Sequence, residues 1–363
     1  MTHLFSRRSF LGLGALATAG SVGVLSACAQ ENTANTESNS ADSTKNSDTK
    51  EIDYSMVSGH LVVLSTGGTI ASTNVNGALI PTVSGEELVA PVYEKFSHDK
   101  LTIEVRQVSQ LDSSAMTLHD TDNIIREVLK TVEEEKVTGV IVTHGTDSME
   151  ESAIAVDTFL KGDKPVVFTG SMLPFDDPDT DGPDNLMLAV ITATDTKNQG
   201  KGTFIAFGGT VIPARGAYKS HTSEKDGFRS NAGTEVIRPK ALDFQLLESH
   251  RVDIIAAYPG APRELIEAAV STGAEALVIE GMGAGNVGGD IAEAIVAVAE
   301  KNIPVVMTTR VDAGLVEGTY GGAGGGATLA QKGVIGSDYL RAGQSRILLA
   351  AALATGTDPK ELF

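Results

Sequence analysis

Short apolar runs alternate with segments of helical period through most of this chain, and that alternation restricts the fold more than any other feature. Residues 61–64, 103–108, 140–142, 166–168 and 204–207 read as strands, with helices predicted between them over 120–136, 149–160 and 185–194. Strands without polar interruption are covered on both faces, which implies parallel βαβ units. Glu150 and Glu151, near the start of the second helix, suit the positive end of its dipole. After Phe207 the pattern breaks. Gly208-Gly209 reads as a turn, 211–217 as the start of a hairpin, and the polar stretch through Arg238-Pro239-Lys240 to about Ser249 as an interdomain linker. The rhythm then resumes, with strands predicted over 253–257, 276–280 and 304–308 and helices over 263–271, 291–301 and 345–354. The expected fold class is α/β. A larger, doubly wound, mainly parallel sheet domain spans 58–248 and a smaller α/β domain spans 249–363.

The residues before this region read as an export address. Ser6-Arg7-Arg8-Ser9-Phe10-Leu11 is a twin-arginine pattern, followed over 11–25 by an apolar stretch too short and too rich in Gly and Ala to cross a membrane. It ends in Leu25-Ser26-Ala27-Cys28, similar to a bacterial lipobox. Residues 1–27 are therefore expected to be a signal peptide, with lipid on Cys28; a free thiol in a cleaved leader is the plainer alternative. Cys28 is the only cysteine, so no disulfide forms within one chain. Residues 29–56 have almost no apolar content and cannot offset their ordering entropy. Residues 28–57 are accordingly read as the lipidated cysteine and a disordered tether. The expected location is the extracytoplasmic face of a bacterial membrane, at the cell surface or in the periplasm.

A formal net charge of −19 repels phosphate backbones, so nucleic acid is not an expected partner. The absence of Trp argues against a sugar-stacking platform.

Two motifs follow predicted strands, where open α/β sheets bind ligands. Ser65-Thr66-Gly67-Gly68-Thr69 follows the first. Thr69 could attack a carbonyl while turn amides stabilise the oxyanion, or it could simply fit the turn. His144-Gly145-Thr146-Asp147 follows the third. Thr146 could relay a proton and Asp147 could hold an ammonium group, or Asp147 could cap the helix beginning near Met149. His144 has no second His or carboxylate at metal-ligand spacing, so no metal is expected. Lys219 suits a base at a site edge or a solvated hairpin position. Ser113 and Ser114, after Asp112, could bind a carboxylate or form a polar turn. The glycine-rich run 318–326 reads as a mobile or closely packed loop.

Together and in this order, these segments resemble the bacterial-type L-asparaginase/glutaminase family, over about residues 59–363. Thr66-Gly67-Gly68-Thr69-Ile70 matches its first signature. Gly139 through His144-Gly145-Thr146-Asp147 matches the second, with Ser148 where Thr is usual. The resemblance implies that Thr69 is the nucleophile, that Thr146 and Lys219 move protons, and that Asp147 belongs to that group and also holds the substrate's α-ammonium. It implies that Ser113 binds the α-carboxylate, that Ser114 contacts substrate, and that Asn286 is offered across an intimate dimer interface within a homotetramer. The implied reaction converts L-asparagine, or L-glutamine, to the acid and ammonia, with no metal or organic cofactor. Departures from the family pattern are Leu79 where a loop tyrosine is usual, Ala115 for an acidic residue, Leu173 for an arginine and Gly209 for an aspartate. The acidic residue some members supply from the second domain has Glu317 near its region and no assigned counterpart. The competing class is a solute-binding lipoprotein, or a weakened relative that binds an amino acid without turnover.

Overall fold

The computed structural model describes residues 54–233 and 236–363. The export pattern, Cys28 and most of the expected tether lie outside the described residues. The folded body includes Tyr54–Met56, expected in the tether: they form a 3-10 turn, with the Tyr54 ring edge-on to Phe96 at 5.3 Å.

In the larger domain the elements run β1 (Gly59–Gly67), β2 (Ser72–Val75), β3 (Ala78–Pro81), α1 (Gly85–Tyr93), β4 (Leu101–Leu111), α2 (Leu118–Glu133), β5 (Gly139–Thr143), α3 (Met149–Phe159), β6 (Val166–Thr169), α4 (Gly182–Thr194), β7 (Thr203–Phe207), β8 (Thr210–Pro213), β9 (Ala217–Lys219) and β10 (Phe228–Ser230). The main sheet has the order β4-β1-β5-β6-β7-β8, parallel except for β8. Strands β2 and β3 form a separate hairpin, as do β9 and β10.

The apolar runs are explained by burial on both faces. Leu61 and Val63 pack with Val89 of α1 and Val190 of α4, whereas Val62 and Leu64 pack with Ile125 of α2 and Ile154 of α3. Period-2 alternation sends neighbours to opposite layers, and both layers are apolar. Capping boxes start α1 (Ser84 with Glu87) and α2 (Thr117 with Asp120).

Residues 236–246 carry no regular element. The smaller domain follows: β11 (Val252–Ala256), α5 (Glu264–Ser271), β12 (Ala276–Gly281), α6 (Gly289–Ala299), β13 (Val305–Thr309), α7 (Gly326–Gln331), β14 (Ile335–Gly336) and α8 (Ala342–Thr355). Its sheet, β11-β12-β13-β14, is parallel throughout. Helices α5 and α6 cover one face. On the other lies α8, whose Ile347 through Ala352 are buried in the same apolar cluster as Ile154 of α3 and Val278 of β12. A helix apolar on all sides belongs between two layers, and α8 fills the space between α3 and the second sheet.

The glycine-rich run is closely packed only at its C-terminal end, while residues 318–323 are exposed. A Cβ on Gly324 would lie 2.1 Å from the Val287 carbonyl oxygen, and one on Gly325 would lie 2.2 Å from that of Tyr320. The run ends where α7 begins.

Candidate active site

After β1 the chain crosses to β4 on one side; after β5 it crosses to β6 on the other. The carboxyl ends of β1 and β5 therefore flank a topological switch point, where α/β sheets bind ligands. Ser65 pairs with Thr143, and the Thr66 hydroxyl donates to the Thr143 carbonyl at 2.9 Å, which ties the two ends together.

Beyond these ends the loops touch through glycine. Gly68 has φ 80°, and a Cβ there would lie 2.3 Å from Gly145 Cα. Gly145 in turn lies against Ser113, whose Oγ would be 2.5 Å from a Cβ at that position. Only glycine permits this approach. It gathers the Thr69, Ser113 and Thr146 loops at one place.

Thr69 opens a 3-10 turn just past Gly68 and is half-buried. The Gly68 carbonyl accepts from Ala71 N–H and the Ser72 hydroxyl, at 3.0 and 2.9 Å, fixing the turn. Thr146 is buried, while Asp147 and Ser114 are exposed. Lys219, on β9, reaches in from the other side. Its Nζ donates to Thr146 Oγ1 at 2.8 Å and Asp147 Oδ1 at 2.6 Å. With a side chain 19% exposed, Lys219 is not a solvated hairpin lysine.

Asp147 does not cap α3. The cap position is Ser148, and its hydroxyl donates to the Ser113 carbonyl at 2.8 Å. The Ser113 hydroxyl oxygen accepts the Asp147 N–H at 3.0 Å, which leaves its O–H able to donate to an anion. A cavity of about 330 Å³ borders Ser113, Ser114, Asp147 and Ser148, with the Glu151–Arg346 ion pair in its lining.

His144 is fully buried. Its Nδ1–H donates to the Gly145 carbonyl at 2.7 Å and its Nε2 has no partner among the described residues. Burial pushes its pKa down to about 4, so it stays neutral. Asn286 lies in the smaller domain, where its Oδ1 accepts the Gly326 N–H at 3.3 Å. Within one chain it is not gathered with Thr69 and Thr146. Leu79, on β3 opposite Asn74, is 46% exposed. Among the described residues no cluster of His, Cys, Asp or Glu has the makings of a metal site.

Two participants escaped the sequence reading. The Glu150 carboxylate accepts the Lys219 backbone N–H. Gln344 of α8, fully buried, donates to the Ala214 carbonyl at 2.7 Å and accepts the Gly216 N–H at 2.9 Å. Glu150 was visible only as a dipole partner. Nothing local marks Gln344, which lies 128 residues from Gly216.

Comparison with known proteins agrees with this arrangement. The asparaginase N-terminal family model matches residues 60–249, and the glutaminase/asparaginase C-terminal domain model matches 251–362. A probable L-asparaginase of Deinococcus radiodurans is 36% identical over 61% of this chain and 73% of its own length. L-asparaginase 2 of Bacillus subtilis is 30% identical over 83% of this chain and 84% of its own. The crystal structure of a probable cytoplasmic L-asparaginase from Campylobacter jejuni superposes with a TM-score of 0.71 at 27% identity, covering 84% of this chain and 98% of that one. With both family domains matched in order across nearly all of the described residues, the chain belongs to the asparaginase family.

Proposed function

We propose that this protein hydrolyses the side-chain amide of L-asparagine, and of L-glutamine as a secondary substrate, through an acyl-threonine intermediate. The observation that carries the reading is the contact of Lys219 Nζ with both Thr146 Oγ1 and Asp147 Oδ1 beside the Gly68–Gly145 junction. Thr69 Oγ attacks the amide carbon, the C–N bond breaks, and nitrogen leaves as ammonia after taking a proton. Water then attacks the ester and restores Thr69. The Thr146–Lys219 pair moves the proton in each half. Backbone N–H groups of the glycine turn and a threonine hydroxyl meet the oxyanion. Asp147 holds the α-ammonium, the free O–H of Ser113 the α-carboxylate, and Ser114 lies beside it. These steps need no metal or organic cofactor.

The same reading divides the body near residue 249 and assigns Asn286 to a neighbouring subunit's site in a homotetramer built from intimate dimers. It keeps the twin-arginine route and lipid on Cys28. Cys28→Ser then releases the protein from membranes into the soluble fraction; an unchanged distribution removes the anchor.

The test is ammonia release from L-asparagine and L-glutamine, beside Thr69→Ala. Turnover that vanishes in the variant supports the acyl-threonine enzyme, and the ratio of the two rates ranks the substrates. Leu79, with no hydroxyl to offer Thr69, favours one second reading, a weakened enzyme that binds. Thermal stabilisation by either amino acid without ammonia release identifies that case.

A further inference from the structure

Strand β9 pairs with β10 along one edge only. Phe228 faces Lys219, and the next N–H, of Ser220, goes to the Gly227 carbonyl at 2.7 Å. The Lys219 N–H points to the opposite edge, where no strand lies among the described residues. An unpaired N–H at a half-buried edge is costly. The Glu150 carboxylate takes the place of the missing strand.

This acceptor is placed by the motif it serves. Glu150 lies in the first turn of α3, three residues after Asp147 and four after Thr146. One helix start thus carries the partners of Lys219 Nζ and the acceptor for Lys219 N–H. Gln344 closes the frame: its Nε2 donates to the Glu150 carbonyl at 3.2 Å as well as to Ala214, and its Oε1 takes Gly216 N–H. The backbone leading to Lys219 is therefore held twice, by Gln344 upstream and by Glu150 at the lysine itself.

We propose that Glu150 is a positioning residue for the proton relay, which rests on the hydrolase reading above: its ionised carboxylate fixes the backbone from which Lys219 reaches Thr146, and protonation of that carboxylate loosens it. Burial raises the Glu150 pKa to about 7, with the Lys219 N–H and charge opposing and the neighbouring Glu151 adding to the rise. The charged groups around it are Glu151 on its own helix, Lys219 on β9, Asp147 in the preceding loop and Arg346 on α8, which pairs with Glu151 at 3.3 Å. His221, two residues beyond Lys219, accepts the N–H groups of Ser223 and Glu224.

The experiment compares wild type with Glu150→Gln from pH 5.5 to 8.5 and has two readouts. Glutamine still accepts the N–H but mimics the protonated acid at every pH. The wild-type to variant ratio of kcat should rise from near one at pH 5.5 to about tenfold at pH 8.5, the difference between a charge-assisted and a neutral hydrogen bond, with KM unchanged. A ratio constant with pH means a merely structural contact and overturns the proposal. The second readout is independent of turnover. In protein labelled with 15N-lysine, the Lys219 amide signal, assigned by its loss in Lys219→Arg, should titrate with a midpoint near pH 7 in wild type and stay still in Glu150→Gln. A static wild-type signal, or movement that persists in the variant, also overturns it. Should wild type release no ammonia, the hydrolase reading fails alone, and the amide titration still decides whether Glu150 governs Lys219.

Discussion

Gly68 and Gly145 are in backbone contact across the switch point, so close that a methyl group on Gly68 would sit 2.3 Å from Gly145 Cα. The loops bearing Thr69 and Thr146 meet only because neither glycine has a side chain. Gly68→Ala adds strain, since φ is 80°. It should cost about 2–3 kcal/mol of stability and, by moving Thr69, about 100-fold or more in kcat. Urea unfolding and ammonia release measure the two; an active Gly68→Ala shows that the contact is not required.

Lys219→Met keeps the stem and removes the proposed proton carrier. The expected loss is about 10²- to 10⁴-fold in kcat. Circular dichroism should be unchanged, because β9 retains its backbone bonds. A variant within severalfold of wild type would remove Lys219 from the relay.

His144 governs part of the acid limb of stability. Its folded pKa is about 4 against an ordinary value of 6.5. The neutral ring therefore contributes stability that is complete above 6.5 and is lost as pH falls towards 4, on the order of 3 kcal/mol. His144→Asn should flatten unfolding free energy across that window, whatever its effect at pH 8. An equally steep slope in the variant would place the acid lability elsewhere.

Leu79→Tyr returns a hydroxyl to the β2–β3 hairpin. At an exposed position it should move stability by no more than about 0.5 kcal/mol. If the hairpin closes over Thr69, kcat should rise about tenfold. An unchanged kcat means that Thr69 is activated by another group.

The buried strands β1, β5, β6, β7, β12 and β13 were legible because continuous apolar runs have one explanation in a sheet buried on both faces. Helices α2, α3 and α4 fell within a few residues of expectation for the same reason. The β2–β3 hairpin and α1 were not seen. The hairpin is short, with Val75, Leu79 and Ile80 exposed, so burial writes no alternation into it. Helix α7 was hidden because its start is the glycine run itself. At the site, Thr69, Thr146 and Asp147 stood out as reactive types after predicted strands, whereas Lys219 was singled out by the family resemblance. Glu150 and Gln344 did not, since what they do depends on the backbone amides they face, and no residue pattern encodes that.

Helix α8 fills the space between two layers, and it also joins distant parts of the chain. Gln344 on it holds the backbone just ahead of the strand that carries Lys219. A residue 128 positions from Gly216 therefore holds part of the backbone from which Lys219 extends. A change confined to α8 is thus felt at the Lys219 strand with no contact to Lys219 itself.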